Sequence, residues 1–295
     1  MTRGRKICQG IAVLLALAAT GMQAQPAEVP EITGMADNVC PPPLAMPGSV
    51  KNQLTAMLID PPSLTGDARA TASPDASFNA YFAELRPIGS RDWPGLCRFQ
   101  ADNARLRATA VNPHVVFMGD SITENWLLGD PGLFGDDFVN RGIGGQTSPQ
   151  MLLRFRADVV DLHPAWVHIL AGTNDVAGNT GPNTPQDFRN NVMSMVELAQ
   201  ASGIQVLLGS IPPSAGFYWA PAMQPAPQIR ALNSWMQQYA AEQKLVYVDY
   251  HAALAGQDGG LPEALGNDGV HPNRDGYVIM RSVLEKALQT AGTRQ

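Results

Sequence analysis

A serine, a histidine three residues after an aspartate, an asparagine and a glycine-rich loop are spread along this chain with the residue types that acyl transfer needs. Residues 115–123 read Val-Val-Phe-Met-Gly-Asp-Ser-Ile-Thr, an apolar run that meets a Gly-Asp-Ser turn. Four apolar residues followed by a flexible glycine form a buried strand with an abrupt exit. Ser121 then starts a helix over residues 122–128, where free backbone N–H groups favour developing negative charge. A serine nucleophile needs a base, and the base needs a carboxylate to fix its tautomer. Asp268 and His271 supply such a pair. His114, His163, His168 and His251 have weaker claims: His168 alternates into a strand as a core residue, His163 before Pro164 lies on the approach to that strand, and His114 and His251 lack an adjacent carboxylate, although Asp249 is near His251. Asn174, in Gly-Thr-Asn-Asp, offers a side-chain amide for an oxyanion, although a turn asparagine bonding its own backbone explains it equally. The loop 140–147, Asn-Arg-Gly-Ile-Gly-Gly-Gln-Thr, offers backbone N–H groups, or is simply a tight turn. It lacks the Gly-x-Gly-x-x-Gly and Lys-Ser/Thr patterns of nucleotide sites.

Elements must bring these residues together. Candidate strands at 115–118, 138–140, 166–171, 205–210 and 245–248 alternate with helical patterns at 148–156, 185–201, 227–242 and 274–288. Alternation of this kind implies an α/β fold with a parallel sheet and helices on both faces. Ligands then bind beyond the carboxyl ends of the strands. Ser121, the glycine-rich loop and Asn174 all follow strand ends. Thr184 before Pro185 is a capping residue ahead of a first-turn proline. The stripe of Ile229, Leu232, Trp235, Met236 and Tyr239 is core packing.

Before residue 113 the pattern differs. Arg3, Arg5 and Lys6 precede an apolar stretch over 11–19, and Ala24 offers a small residue for cleavage, so residues 1–24 read as a secretory signal peptide. Residues 25–112 are rich in proline, with short helical hints at 50–58 and 78–85, and read as an extension that packs on a main domain at 113–295. Export places the protein in the periplasm or outside the cell, where Cys40 and Cys97 are expected to form a disulfide; two buried thiols are the alternative. The leader holds three basic residues and no acidic one, so its removal takes the formal charge from −6 to −9. A nucleic-acid partner is excluded on that charge. No stretch reads as a stable membrane anchor, and no His or Cys cluster has metal-ligand spacing, so neither metal nor other cofactor is expected. Oligomeric state is not legible.

Together the blocks Gly119-Asp120-Ser121, Asn140 to Gly145, Gly172-x-Asn174-Asp175 and Asp268-x-x-His271 resemble the SGNH/GDSL hydrolase (esterase/lipase) family over roughly residues 115–288. The resemblance implies a three-layer α/β/α sandwich around a five-stranded parallel, flavodoxin-like sheet. It implies Ser121 as nucleophile, His271 as base and Asp268 as its orienter. Oxyanion donors would be the N–H groups of Ser121 and Gly145 and the side chain of Asn174, with Gly144 the competitor of Gly145. The expected activity is hydrolysis of short acyl esters, such as O-acetyl groups on carbohydrates, through an acyl-enzyme. A lysophospholipase or thioesterase acting on longer chains, and a non-catalytic carbohydrate-binding module on the same fold, are the rivals. Phe217, Tyr218 and Trp219 are candidates to line the substrate site, or else pack on the extension. Trp126, one turn beyond Ser121, is either core or pocket wall.

Overall fold

The structure, a computed structural model, describes residues 39–60, 74–109 and 112–292. The leader expected at 1–24 lies outside the described residues. Cys40–Gln295 forms one compact unit. Its elements run α1 (Gly48–Leu54, continued by a π-helical turn, Thr55–Ile59), α2 (Ala76–Arg91), α3 (Gln100–Thr109), β1 (Val115–Gly119), α4 (Ser121–Gly129), β2 (Phe138–Gly142), α5 (Ser148–Asp158), β3 (Trp166–Leu170), α6 (Thr173–Ala177), α7 (Pro185–Ala201), β4 (Gln205–Gly209), α8 (Pro225–Glu242), β5 (Val246–Val248), α9 (Tyr250–Leu254) and α10 (Arg274–Gly292).

All strand pairs are parallel, in the order β2-β1-β3-β4-β5. The period-two alternation of each strand sends side chains to two separate cores. Val116, Met118, Val167 and Ile169 meet α5, α7 and α8 on one face. Val115, Phe117 and Leu207 meet α4, α9 and α10 on the other. The result is the expected three-layer α/β/α sandwich. The five strands lie where the sequence pattern predicts them, within two residues at their ends.

Local chemistry fixes the helix starts near the strand ends. Asp120 caps α4 by accepting the Ile122 N–H at 2.9 Å. Thr147 with Gln150 and Thr184 with Asp187 form capping boxes at the starts of α5 and α7, each followed by proline in the first turn. Gly142 is required by a close approach: a Cβ there would stand 2.2 Å from the backbone N of Glu124. β2 can therefore lie against the first turn of α4.

Helix α3 departs from the sequence reading, which had no element there. Its sequence, Gln-Ala-Asp-Asn-Ala-Arg-Leu-Arg-Ala-Thr, carries no apolar stripe, and its buried residues are Asn103 and Leu106. The hint at 78–85 is the middle of a longer helix, α2.

Cys40 and Cys97 form a disulfide across 57 residues. Closing a loop of that length restricts the unfolded chain, and its loss should cost about 3 to 5 kcal/mol in the chain-entropy model. Urea unfolding of Cys97→Ser against the parent protein measures this. Equal midpoints and slopes would reject the contribution.

Candidate active site

The C-terminal edge of the sheet gathers the residues singled out by the sequence. Ser121 opens α4, directly after β1. His271 Nε2 lies 2.8 Å from Ser121 Oγ, and His271 Nδ1 lies 2.7 Å from Asp268 Oδ2. Asp268 Oδ1 accepts the backbone N–H groups of Val270 and His271 at 2.9 and 2.8 Å. The turn thus builds its own carboxylate clamp. Burial works against charge on Asp268, but the His271 hydrogen bond, the His271 charge and the two backbone N–H groups outweigh it and hold the carboxyl below its ordinary value. Such a hydroxyl–imidazole–carboxylate line can move a proton off the hydroxyl while keeping the imidazolium paired.

Across from the hydroxyl lie the donors. The Gly144 N–H is taken by Glu124 Oε2 at 2.8 Å, and Glu124 is held in turn by Arg98 at 3.0 Å. Gly145 has a positive φ of 79° and open space where a Cβ would be. Its N–H has no hydrogen-bond partner among the described residues. Asn174 Nδ2 donates to Gln146 O at 3.0 Å and to Asp120 Oδ2 at 3.2 Å, while its Oδ1 accepts from Asn179. The side chain is buried and oriented from three directions, beyond the reach of a self-bonded turn asparagine. Burial pushes the Asp120 carboxyl up to about 7, against the Ile122 N–H bond and the His271 charge that lower it.

Behind the donors runs a buried polar network that the sequence reading missed. Arg154 of α5 is fully buried. Its guanidinium donates to Gln146 Oε1 at 2.7 Å, to Gly119 O at 3.1 Å and to Asp158 at 3.0 Å. Asp158 also accepts from Asn103 of α3 at 2.6 Å, and Asn103 accepts from Arg141 at 3.0 Å. Arg154 therefore ties the end of β1 and the Gln146 turn to the same point. Both carry the site, because Gly119 precedes the Asp-Ser turn and Gln146 O orients Asn174. Asp175 fastens the Asn174 turn to the start of α5 by accepting both Ser148 N–H and Ser148 O–H.

A cavity of about 730 Å³ opens onto Ser121, Asn174 and His271. Tyr218 and Trp219 line it, and Trp219 Nε1 donates to Asn179 Oδ1 at 2.9 Å. One expectation is corrected here, and one alternative is decided. Phe217 is only 1% exposed and belongs to the α5–α7–α8 core, with Trp219 stacked on it at 4.9 Å. Trp126 is fully buried among Phe117, Tyr250 and Tyr277 and does not line this cavity, because its position on α4 faces the sheet. His168 is buried against Tyr250, whose hydroxyl lies 2.9 Å from its Nε2. Asp249 caps α9 rather than pairing with a catalytic imidazole.

Residues 117–279 match the model of the GDSL-like lipase/acylhydrolase family. The chain belongs to that family. A GDSL-like lipase of Bacteroides thetaiotaomicron is 41% identical, with a TM-score of 0.62 over 67% of this chain and 98% of that one. Esterase TesA of Pseudomonas aeruginosa is 33% identical over 183 residues, 57% of this chain and 83% of the esterase. An uncharacterized lipoprotein of Bacillus subtilis, YqeF, is 40% identical over 75 residues; the match spans 31% of its length. As a GDSL-like acylhydrolase the chain is an ester-hydrolysing enzyme. The family match begins at residue 117, leaving α1, α2 and α3 outside it. Among the described residues no helix is long and apolar enough to cross a membrane.

Proposed function

We propose that the protein is an exported serine carboxylic-ester hydrolase that works through an acyl-enzyme, with residues 113–295 as the hydrolase domain, 25–112 as an extension and 1–24 as its leader. The aligned contacts of Asp268, His271 and Ser121, at 2.7 and 2.8 Å, carry this reading. His271 Nε2 takes the Ser121 proton as Oγ attacks the ester carbonyl. The tetrahedral oxyanion is met by the N–H groups of Ser121 and Gly145 and by the Asn174 amide, which turns one N–H from its longer contact with Asp120 Oδ2 to the oxyanion. Collapse breaks the bond to the alcohol, which leaves with the proton held by His271. Water, deprotonated by His271, then attacks the acyl-enzyme, releasing the acid and restoring the serine. Gly145 rather than Gly144 is the loop donor, because the Gly144 N–H is already engaged by Glu124.

A fluorophosphonate should label Ser121 stoichiometrically, located by peptide mass spectrometry. Absence of labelling in protein of native fold would reject the mechanism and favour a non-catalytic binding module. Asn174→Ala should lower kcat by about 10² to 10³, as loss of one preorganised donor does. A fall of less than threefold would remove Asn174 from the oxyanion site.

Two acyl classes suit this chemistry. A short acyl group such as acetyl, on a carbohydrate, suits the polar rim of Asn179, Thr180 and Trp219. A longer acyl chain is favoured by a specific observation: the cavity continues past the nucleophile between apolar side chains of α1 and α2. The second reading therefore has the stronger support.

A further inference from the structure

The segment before the family-matched region forms much of the cavity that contains the nucleophile. Three parts of it supply apolar walls: the stretch after Cys40, with Leu44 and Met46; the end of α1 and its π turn, with Leu54 and Met57; and one face of α2, with Phe82 and Leu85. On the family side the wall is polar, with Ser121, Glu124, Asn174 and His271. One cavity thus joins the Ser121 hydroxyl to an apolar lobe. Ligand sites of this kind run from about 300 to 1,000 Å³. At about 730 Å³ this cavity far exceeds what an acetyl group fills.

The lobe is held in place from both ends. The Cys40–Cys97 disulfide fixes its start against the loop that carries Trp93 and Gly95. At the other end Leu58 O accepts from Asn267 at 2.7 Å, one residue before Asp268. Asp60 pairs with Arg274 at 2.6 Å, three residues after His271. The wall of the lobe is therefore tied to the turn that carries the base.

We propose that α1 and α2 form an acyl-chain chamber and set the chain-length preference of the enzyme, so that its substrates are esters of medium- or long-chain fatty acids. This rests on the serine-hydrolase reading above. The leaving alcohol must depart beside His271, which returns its proton. Tyr218, 71% exposed and close enough to feel the Asp268 charge, puts that side of the cavity at the solvent boundary. The apolar lobe is left to the acid portion. Each methylene moved from water into it should improve kcat/KM about fourfold, the equivalent of roughly 0.8 kcal/mol, until the lobe is full.

The test is a series of p-nitrophenyl esters from acetate to laurate, beside a series of alkyl acetates, with the full chain. Expected is a steady rise along the acyl series to a maximum at six carbons or more, with no comparable rise along the alkyl acetates. Phe82→Asp should lower the ratio of decanoate to acetate turnover at least tenfold. That ratio is internal to one sample, so the folded fraction cancels. Should this variant not accumulate, Met57→Asp, at a 37%-exposed position, probes the same wall. A profile that falls from acetate onward, or a ratio unmoved by the wall variant, overturns the chamber while leaving the serine mechanism standing. A rise only along the alkyl acetates overturns the assignment of the lobe to the acid. No turnover of any ester, with no fluorophosphonate labelling, would instead reject the mechanism beneath it.

Discussion

Ser121→Ala should reduce kcat by a factor on the order of 10⁶, leaving only the rate supplied by binding and oxyanion contacts, and should abolish fluorophosphonate labelling. The loss should come with almost no change in stability. Ser121 begins α4, but the cap is Asp120, whose carboxylate holds the Ile122 N–H, and alanine is well suited to the first helical turn. The serine hydroxyl has His271 Nε2 as its side-chain partner at 2.8 Å, in a partly exposed setting. A melting midpoint unchanged within a few degrees, beside lost turnover of a chromogenic ester, is the expected pair of results. Retained turnover at even one-tenth of the parent rate would mean that another group attacks the ester.

A large loss of stability should also follow Arg154→Ala. Arg154 and Asp158 are both fully buried, and burial opposes the charged form of each. The pair persists because every direction around it is filled by a hydrogen-bonding group: Gln146, Gly119 O and Asn103. Removing one partner leaves an uncompensated buried charge, which costs about 3 to 5 kcal/mol. Denaturant unfolding monitored by tryptophan fluorescence measures it. The double change Arg154→Met with Asp158→Leu should recover a large part of the loss, since two apolar groups strand no charge. A single-variant cost under 1 kcal/mol would show that water reaches Asp158. Activity should fall as well, because Gln146 O then loses the anchor that lets it orient Asn174.

These two residues mark what could and could not be read from the sequence. Ser121, Asn174, Asp268 and His271 were legible because each follows a strand end or turn with recognisable composition, and strand ends in a parallel sheet converge. Arg154 was not, since an arginine on an amphipathic helix reads as solvent-facing until its tertiary partners are known. Asn103 was hidden for the same reason, and with it the whole of α3, whose buried face is largely polar. The loop Phe217-Tyr218-Trp219 has no period to sort inward from outward residues. Only packing shows that Phe217 goes to the core while Tyr218 and Trp219 go to the cavity. The short apolar faces of α1 and α2 looked like ordinary packing surfaces. Their partner turned out to be an open cavity.

The hydroxyl of Ser121 and the imidazole that faces it are separated by 150 residues of chain. A growing polypeptide carries Ser121 long before His271, and the two meet only when the Asp268–His271 turn has reached the sheet edge. Any truncated product ending before that turn is chemically silent, whatever its degree of compactness. Appearance of ester turnover during refolding therefore reports the meeting of two segments 150 residues apart rather than formation of any local helix.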